Sequence, residues 1–129
     1  MMKKHLAILT FLFTLMFSST SFAEWTKLGE NLTGDSFYLD VNRIRKVDDY
    51  IYYWTLNDYL KPTKYGHLSA KVYFQADCKL YRMKALSFSY YKETMGGGTA
   101  ETNNPQNPEW QYPQPQSILE GTLKIACDM

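Results

Sequence analysis

Residues 68–78, which read LSAKVYFQADC, decide the fold. Apolar side chains occupy every second position of this stretch, and mostly polar side chains fill the positions between them. A period of two is typical of a β-strand with one buried face, so the last residue of the stretch, Cys78, is expected on that face. The apolar positions are Leu68, Ala70, Val72, Phe74, Ala76 and Cys78.

The neighbouring segments also predict strands. Residues 50–59 carry large side chains on both faces, which is typical of a central strand covered on both sides. Residues 24–29 and 36–41 predict two shorter strands before it, with a polar turn over residues 42–46. Residues 80–91 continue as a strand whose period slips, and a β-bulge near Ala85 and Leu86 would reconcile the two phases.

The C-terminal part of the chain predicts a long loop followed by a helix. Residues 94–116 contain three consecutive glycines and four prolines, and residues 96–107 are expected to be mobile. Trp110 and Tyr112 are expected to anchor the second half of this loop. Residues 117–120 form a capping box, Ser-Ile-Leu-Glu, and apolar residues then recur at helical spacing.

The two cysteines, Cys78 and Cys127, predict a disulfide bond, because the chain carries an export signal. The alternative is a redox or metal site, but the sequence contains no Cys-x-x-Cys motif and His67 is the only histidine after residue 23. The sequence therefore predicts a single α+β domain: an antiparallel sheet of about five to six strands, with one C-terminal helix tied to it by the disulfide.

Residues 1–23 read as a signal peptide. A short basic region with Lys3 and Lys4 precedes an apolar run over residues 6–17, which is too short to span a membrane comfortably. Ser21 and Ala23 are small residues at the positions that a signal peptidase reads, so cleavage is predicted after Ala23, leaving a domain over residues 24–129. The alternative is an uncleaved anchor. No cysteine is available near the cut for lipid attachment, which predicts a periplasmic or secreted protein without a membrane anchor.

Composition and motifs give no support to several classes of function. The formal net charge is +1, which leaves no electrostatic footprint for nucleic acid. His67 lies at the start of a strand, where a lone histidine is more often a hydrogen-bonded surface residue than a catalytic base. Asp48, Asp49 and Asp58 fit turns better than acid–base pairs. We therefore expect no enzymatic activity, no cofactor and no metal.

Two groups of side chains are candidates for binding. Lys61, Lys64 and Tyr65 form a basic, aromatic loop, which either contacts a partner or is simply solvated. Tyr53, Tyr59 and Tyr73 are expected on the sheet face opposite the helix, where they would bind sugars or proteins, cover a small second core or form a dimer seam.

From Trp25 to Cys127 the sequence resembles the bacterial surface-adhesin protein E family. The order of the matching elements and the spacing of the two cysteines carry this resemblance. The matching residues are Phe37, Tyr38, Leu39, Asp40, Ile44, Tyr59, Pro62, Ser69, Asp77, Cys78, Gly96, Trp110, Ser117 and Cys127.

The resemblance implies an antiparallel sheet with a disulfide-tethered C-terminal helix, and a non-enzymatic surface protein that binds host matrix or plasma proteins, with a homodimer as a further expectation. The family's namesake is a lipoprotein, whereas this signal lacks the lipid-accepting cysteine. The alternative function is therefore a periplasmic structural or regulatory protein, such as an inhibitor or an envelope-complex subunit.

Overall fold

The computed structural model describes residues 24–129, so the predicted signal peptide and its cleavage site after Ala23 lie outside the described residues. Within them, seven strands form one antiparallel sheet in the order β1-β2-β4-β5-β6-β7, and β3 pairs with β4. The elements are β1 (Trp25–Glu30), β2 (Ser36–Asp40), β3 (Arg45–Val47), β4 (Tyr50–Asp58), β5 (Ser69–Asp77), β6 (Arg82–Tyr91), β7 (Ala100–Asn103) and helix α1 (Ile118–Asp128).

The predicted fold class is confirmed, with more strands than the predicted five to six. Two strands were not predicted from the sequence. Strand β3 overlaps the turn predicted over residues 42–46, and β7 lies within residues 96–107, which were expected to be mobile. All of their residues are exposed, so no hydrophobic alternation marks them. Backbone pairing with β4 and with β6 defines these two strands instead.

The predicted β-bulge lies at Leu86. Tyr73 pairs with Ser87 and the next residue, Phe74, pairs with Ala85, which leaves Leu86 without a partner on β5. The bulge shifts the phase of β6, so that Ala85 and Phe88 both face the core although they are three residues apart.

Strand β6 begins at Arg82 rather than at residue 80, because residues 78–81 form the turn of a hairpin. The Asp77 carboxylate closes this turn by accepting hydrogen bonds from the backbone N–H groups of Lys79 (3.2 Å) and Leu80 (3.3 Å). Arg82 Nε donates to the same carboxylate at 3.1 Å. Burial raises the pKa of Asp77, but these hydrogen bonds and the Arg82 charge outweigh burial and lower it overall.

Helix α1 packs on one face of the sheet, here called the inner face, and buries Leu123 and Ala126 there. Ser117 Oγ accepts from the Glu120 N–H (3.1 Å), as an N-cap does. The Glu120 carboxylate reaches back to the Gln116 N–H (3.0 Å), one residue before the N–H that the predicted capping box would use. The disulfide between Cys78, just after β5, and Cys127, in the last turn of α1, is formed as predicted. It fixes the far end of the helix against the sheet.

Tyr53 was expected opposite the helix, but it lies in the core beneath α1 and is 0% exposed. Its hydroxyl has no hydrogen-bond partner among the described residues. The neighbouring Thr122 hydroxyl already donates to the Leu119 carbonyl at 2.7 Å. Burial raises the pKa of Tyr53 to about 12.

Replacing Cys127 by Ser should lower the melting temperature clearly, because the disulfide closes a loop with a sequence separation of 49 residues. On the chain-entropy model, such a loop stabilises the fold by roughly 4 kcal/mol. Thermal unfolding followed by circular dichroism measures the change. Lys124→Ala, on the exposed side of the same helix, is the matched control and should change stability by less than about 0.5 kcal/mol. Equal melting curves for Cys127→Ser and wild type would show that the helix is not held by the bond.

Replacing Tyr53 by Phe should flatten the alkaline limb of the stability profile. Because the folded-state pKa is raised from 10.0 to about 12, Tyr53 contributes stability that is complete below pH 10 and is lost as the pH rises toward 12. At neutral pH the variant should be as stable as wild type or more stable, since a buried hydroxyl without a partner is removed. Urea unfolding at pH 7 and above pH 10 measures both effects, and a parallel loss of stability in the two proteins would contradict the assignment.

Candidate functional site

The loop between β4 and β5 is closed by its own hydrogen bonds. The Tyr59 N–H donates to the Leu68 carbonyl (2.9 Å) at its base, and the Thr63 N–H donates to the His67 carbonyl (2.9 Å) nearer the tip. Gly66, with φ +80°, takes the left-handed conformation that lets the chain reverse. The tip is therefore an ordered turn that holds residues 61–65 away from the sheet.

We call residues 61–65 the cationic loop. Tyr65 is 68% exposed, and Lys64 Nζ lies 5.0 Å from the centroid of its ring. Lys61 is exposed on the same loop and makes no salt bridge with the residues that the structure describes. The Tyr65 carbonyl accepts a hydrogen bond from Lys92 Nζ at 2.9 Å, which ties the loop to the chain beyond β6. The sequence-predicted binding residues thus share one exposed loop, and Lys64 and Tyr65 are in contact.

A cavity of about 460 Å³ opens beside the cationic loop. Tyr90 on β6 and Glu101 on β7 are direct cross-strand partners at its wall, on the same side of the sheet as the core. Helix α1 packs against β1 and β4, so this end of the sheet lies beyond the strands that the helix covers. The lining residues are Tyr65, His67, Tyr90, Glu101, Thr102 and Asn103.

His67, expected at the surface, is 6% exposed at the base of the cavity. Its Nε2 lies 3.1 Å from a Glu101 carboxylate oxygen, and its ring centroid lies 5.3 Å from that of Tyr90 and 6.4 Å from that of Tyr65. Through these contacts the His67 imidazole can hold the cavity wall in place. The same groups offer an entering side chain both aromatic rings and hydrogen-bonding atoms. The proximity of Tyr90 and Glu101 could not be found from the sequence, because it depends on β7.

The turn after β6 positions β7 and so completes the cavity. Ser69, which is fully buried, donates from its hydroxyl to the Glu93 carbonyl (2.7 Å) and accepts from the Gly96 N–H (2.8 Å). Asp58 accepts from the Met95 N–H at 2.7 Å. Gly96 has φ +74°, a left-handed conformation that residues with a side chain rarely adopt, so glycine fits this turn without strain.

Residues 24–129 contain no cluster of three or more His, Cys, Asp or Glu side chains arranged to hold a metal ion. Helix α1, the only α-helix in this range, is too short and too polar to cross a membrane. The arrangement at the cavity is suited to contact with another molecule through rings, hydrogen bonds and cations.

Comparison with known proteins gives one family and one group of solved structures. Residues 25–128 match the family model described as surface-adhesin protein E. A search of curated proteins gave no match.

Solved structures of protein E from Haemophilus influenzae are similar to this chain. One crystal form is 18% identical, with a TM-score of 0.62 over 81% of this chain and 87% of that chain. Protein E from a non-typeable strain is 17% identical, with a TM-score of 0.59 over 85% of this chain and 79% of that chain. At these identities the likeness establishes a shared fold.

Replacing Ser69 by Ala should destabilise the protein by about 1–3 kcal/mol, because the Glu93 carbonyl and the Gly96 N–H lose their shared partner. Ser87→Ala, on β6, removes a hydroxyl that makes no hydrogen bond among the described residues. It should change stability by less than about 0.5 kcal/mol. Urea unfolding measures both, and equal midpoints for the two variants would show that Ser69 does not hold the turn.

Proposed function

The chain belongs to the surface-adhesin protein E family, and we propose that it is an exported, non-enzymatic binding protein that holds a host matrix or plasma protein through its cationic loop and the adjacent cavity. Family membership supports an adhesin-like role at the cell surface or in an exported form. Beyond family membership, we propose that the partner is a host matrix or plasma protein and that the cationic loop and the cavity contact it.

One observation carries the proposal: a tyrosine that is 68% exposed, Tyr65, stands on an ordered loop at the mouth of a cavity. Tyrosine is enriched among the residues that dominate binding energy at protein interfaces, and here its ring lies beside a concave, partly aromatic surface. The internal hydrogen bonds of the loop hold Tyr65 in position before binding, which reduces the entropy lost on association.

The two kinds of side chain at this site would act differently. Lys61 and Lys64 are solvent-exposed charges, which accelerate encounter with an acidic surface more than they increase its final affinity. Tyr65 and Tyr90 supply apolar area, and the His67–Glu101 pair supplies polar groups within the cavity. An incoming protein side chain that enters between the two tyrosines would bury area on both.

The proposed location is the periplasm or the medium, following cleavage after Ala23, and the proposed partner is a protein, with a homodimer as a further expectation. The missing lipid-accepting cysteine favours a second candidate function, that of a periplasmic structural or regulatory protein such as an inhibitor or an envelope-complex subunit. The two functions differ in whether the protein reaches a host ligand.

Binding to immobilised vitronectin and laminin, measured by surface plasmon resonance, tests the adhesin function. Tyr65→Ala should weaken binding about tenfold, as loss of an interface anchor does. The double substitution Lys61→Ala with Lys64→Ala should slow association and remove most of its salt dependence. Lys124→Ala, an exposed lysine on α1, should bind like wild type.

Binding no stronger than that of a denatured control would exclude these ligands, and binding unchanged by the loop variants would remove the loop from the site. Protease treatment of intact cells then separates the two candidate functions. Cleavage of the protein from intact cells, or its presence in the medium, supports the adhesin function. Protection until the outer membrane is opened supports the periplasmic alternative.

A further inference from the structure

The sheet face opposite α1, here called the outer face, carries a row of aromatic side chains. Trp54 on β4 and Tyr73 on β5 are direct cross-strand partners, with ring centroids 4.7 Å apart. Tyr52 lies beside them, 6.0 Å from Tyr73. All three are only half-buried, although they lie on the central strands of the sheet.

Helix α1 does not pack on this face. The short 3-10 turn Thr94–Gly96 covers one end of it, near Asp58 and Ser69, and Trp110 covers the other end, beside Tyr50. Between them, Trp54 and Tyr73 line an open groove.

A groove of about 410 Å³ runs between these rings and the segment after β2, and it is lined by Asn42, Arg43, Arg45, Trp54 and Tyr73. The Arg43 side chain is 57% exposed, with its Nε 3.4 Å from a carboxylate oxygen of the buried Asp40. Arg45 is exposed and makes no salt bridge within residues 24–129. The groove therefore presents two guanidinium groups beside two aromatic rings.

Further cations flank the groove on the same face. Lys71 Nζ lies 5.1 Å from the ring centroid of Tyr91, and Lys84 Nζ lies 4.4 Å from that of Trp110. Neither lysine makes a salt bridge among the described residues.

Several acidic groups near the groove already lie beside a partner. Asp77 accepts a hydrogen bond from Arg82, and Asp58 accepts one from the Met95 N–H. Asp40 is buried with Arg43 Nε 3.4 Å away, and its carboxylate oxygens accept no hydrogen bond from the described residues. Lys27 pairs with Glu30, and Glu24, at the rim, accepts from Asn42 Nδ2 at 2.8 Å. The lining of the groove thus carries two arginines and no acidic side chain.

We propose that the outer-face groove and its flanking lysines form a second binding surface, which takes an extended acidic segment of a protein partner. Tryptophan, tyrosine and arginine are the residue types most enriched among interface anchors, which favours a protein over other polyanions. The planar guanidinium group matches the geometry of a carboxylate.

The spacing of the cations also fits an extended segment. Lys71 precedes Tyr73 by two residues on β5, and Lys84 pairs with Gln75, two residues beyond Tyr73. Alternate residues of a strand lie roughly 7 Å apart. Carboxylates at every second position of an extended partner would meet Lys71, the groove and Lys84 in turn. This surface differs from the cationic loop and its cavity, so the inference does not depend on the function proposed above.

Fluorescence anisotropy of labelled poly-L-glutamate tests the proposal on the folded protein. Wild type should bind, and Arg45→Glu should weaken binding about tenfold or more, because a like charge then faces the carboxylates. Lys124→Glu makes the same change of charge on the exposed side of α1 and should weaken binding less than about twofold. The double variant Lys61→Ala with Lys64→Ala should bind poly-L-glutamate as tightly as wild type does. That result would show that the outer-face groove, and not the cationic loop, binds this probe.

Circular dichroism first establishes that each variant is folded. Absence of poly-L-glutamate binding by wild type, or equal weakening by Arg45→Glu and Lys124→Glu, would overturn the proposal. Heparin oligosaccharides and vesicles of anionic phospholipid serve as competing polyanions. Equal or tighter binding of either one through Arg45 would assign the face to that class of ligand and would also overturn the proposal.

Discussion

The contact between α1 and the inner face of the sheet is the constraint on which the remaining structure depends. The helix is 11 residues long and would be marginal in isolation. Its buried residues are few, since Leu123 and Ala126 supply the apolar contact while Thr122 is polar. The N-cap at Ser117 fixes the start of the helix and the disulfide fixes its end, so a small apolar contact is enough to keep the core closed.

Because the helix covers only part of one face, the rest of the sheet is protected by other means. At the β6–β7 end, His67 fills the space between Tyr90 and Glu101 and leaves a cavity. On the outer face, aromatic rings pack against one another, and the cationic groups of lysines and an arginine lie over the faces of others. Both candidate binding surfaces are thus the parts of the sheet that the helix does not reach.

The features that the sequence predicts are those set by local pattern. The alternation in β5, the phase slip at Leu86 and the N-cap at Ser117 each depend on a few neighbouring residues, and all are present in the structure. The disulfide was predictable for another reason, because the chain has only two cysteines. The strands β3 and β7 could not be found from the sequence because all of their residues are exposed and show no alternation, so only backbone pairing defines them. Tyr53 was assigned to the wrong face because β4 is apolar on both, so alternation could not distinguish them. The burial of His67 follows from β7 and could not be found before that strand was known.

The disulfide has a consequence for when the domain can fold. In a reducing compartment Cys78 and Cys127 remain thiols. The chain then lacks a stabilisation of roughly 4 kcal/mol, against a total of about 5–15 kcal/mol for a typical domain. A newly made chain in the cytosol therefore has a smaller free energy of unfolding than the oxidised domain. The stability of the domain therefore depends on the compartment. Before export the reduced chain is easier to unfold for transport, and after export the disulfide forms and stabilises the domain with its helix in place.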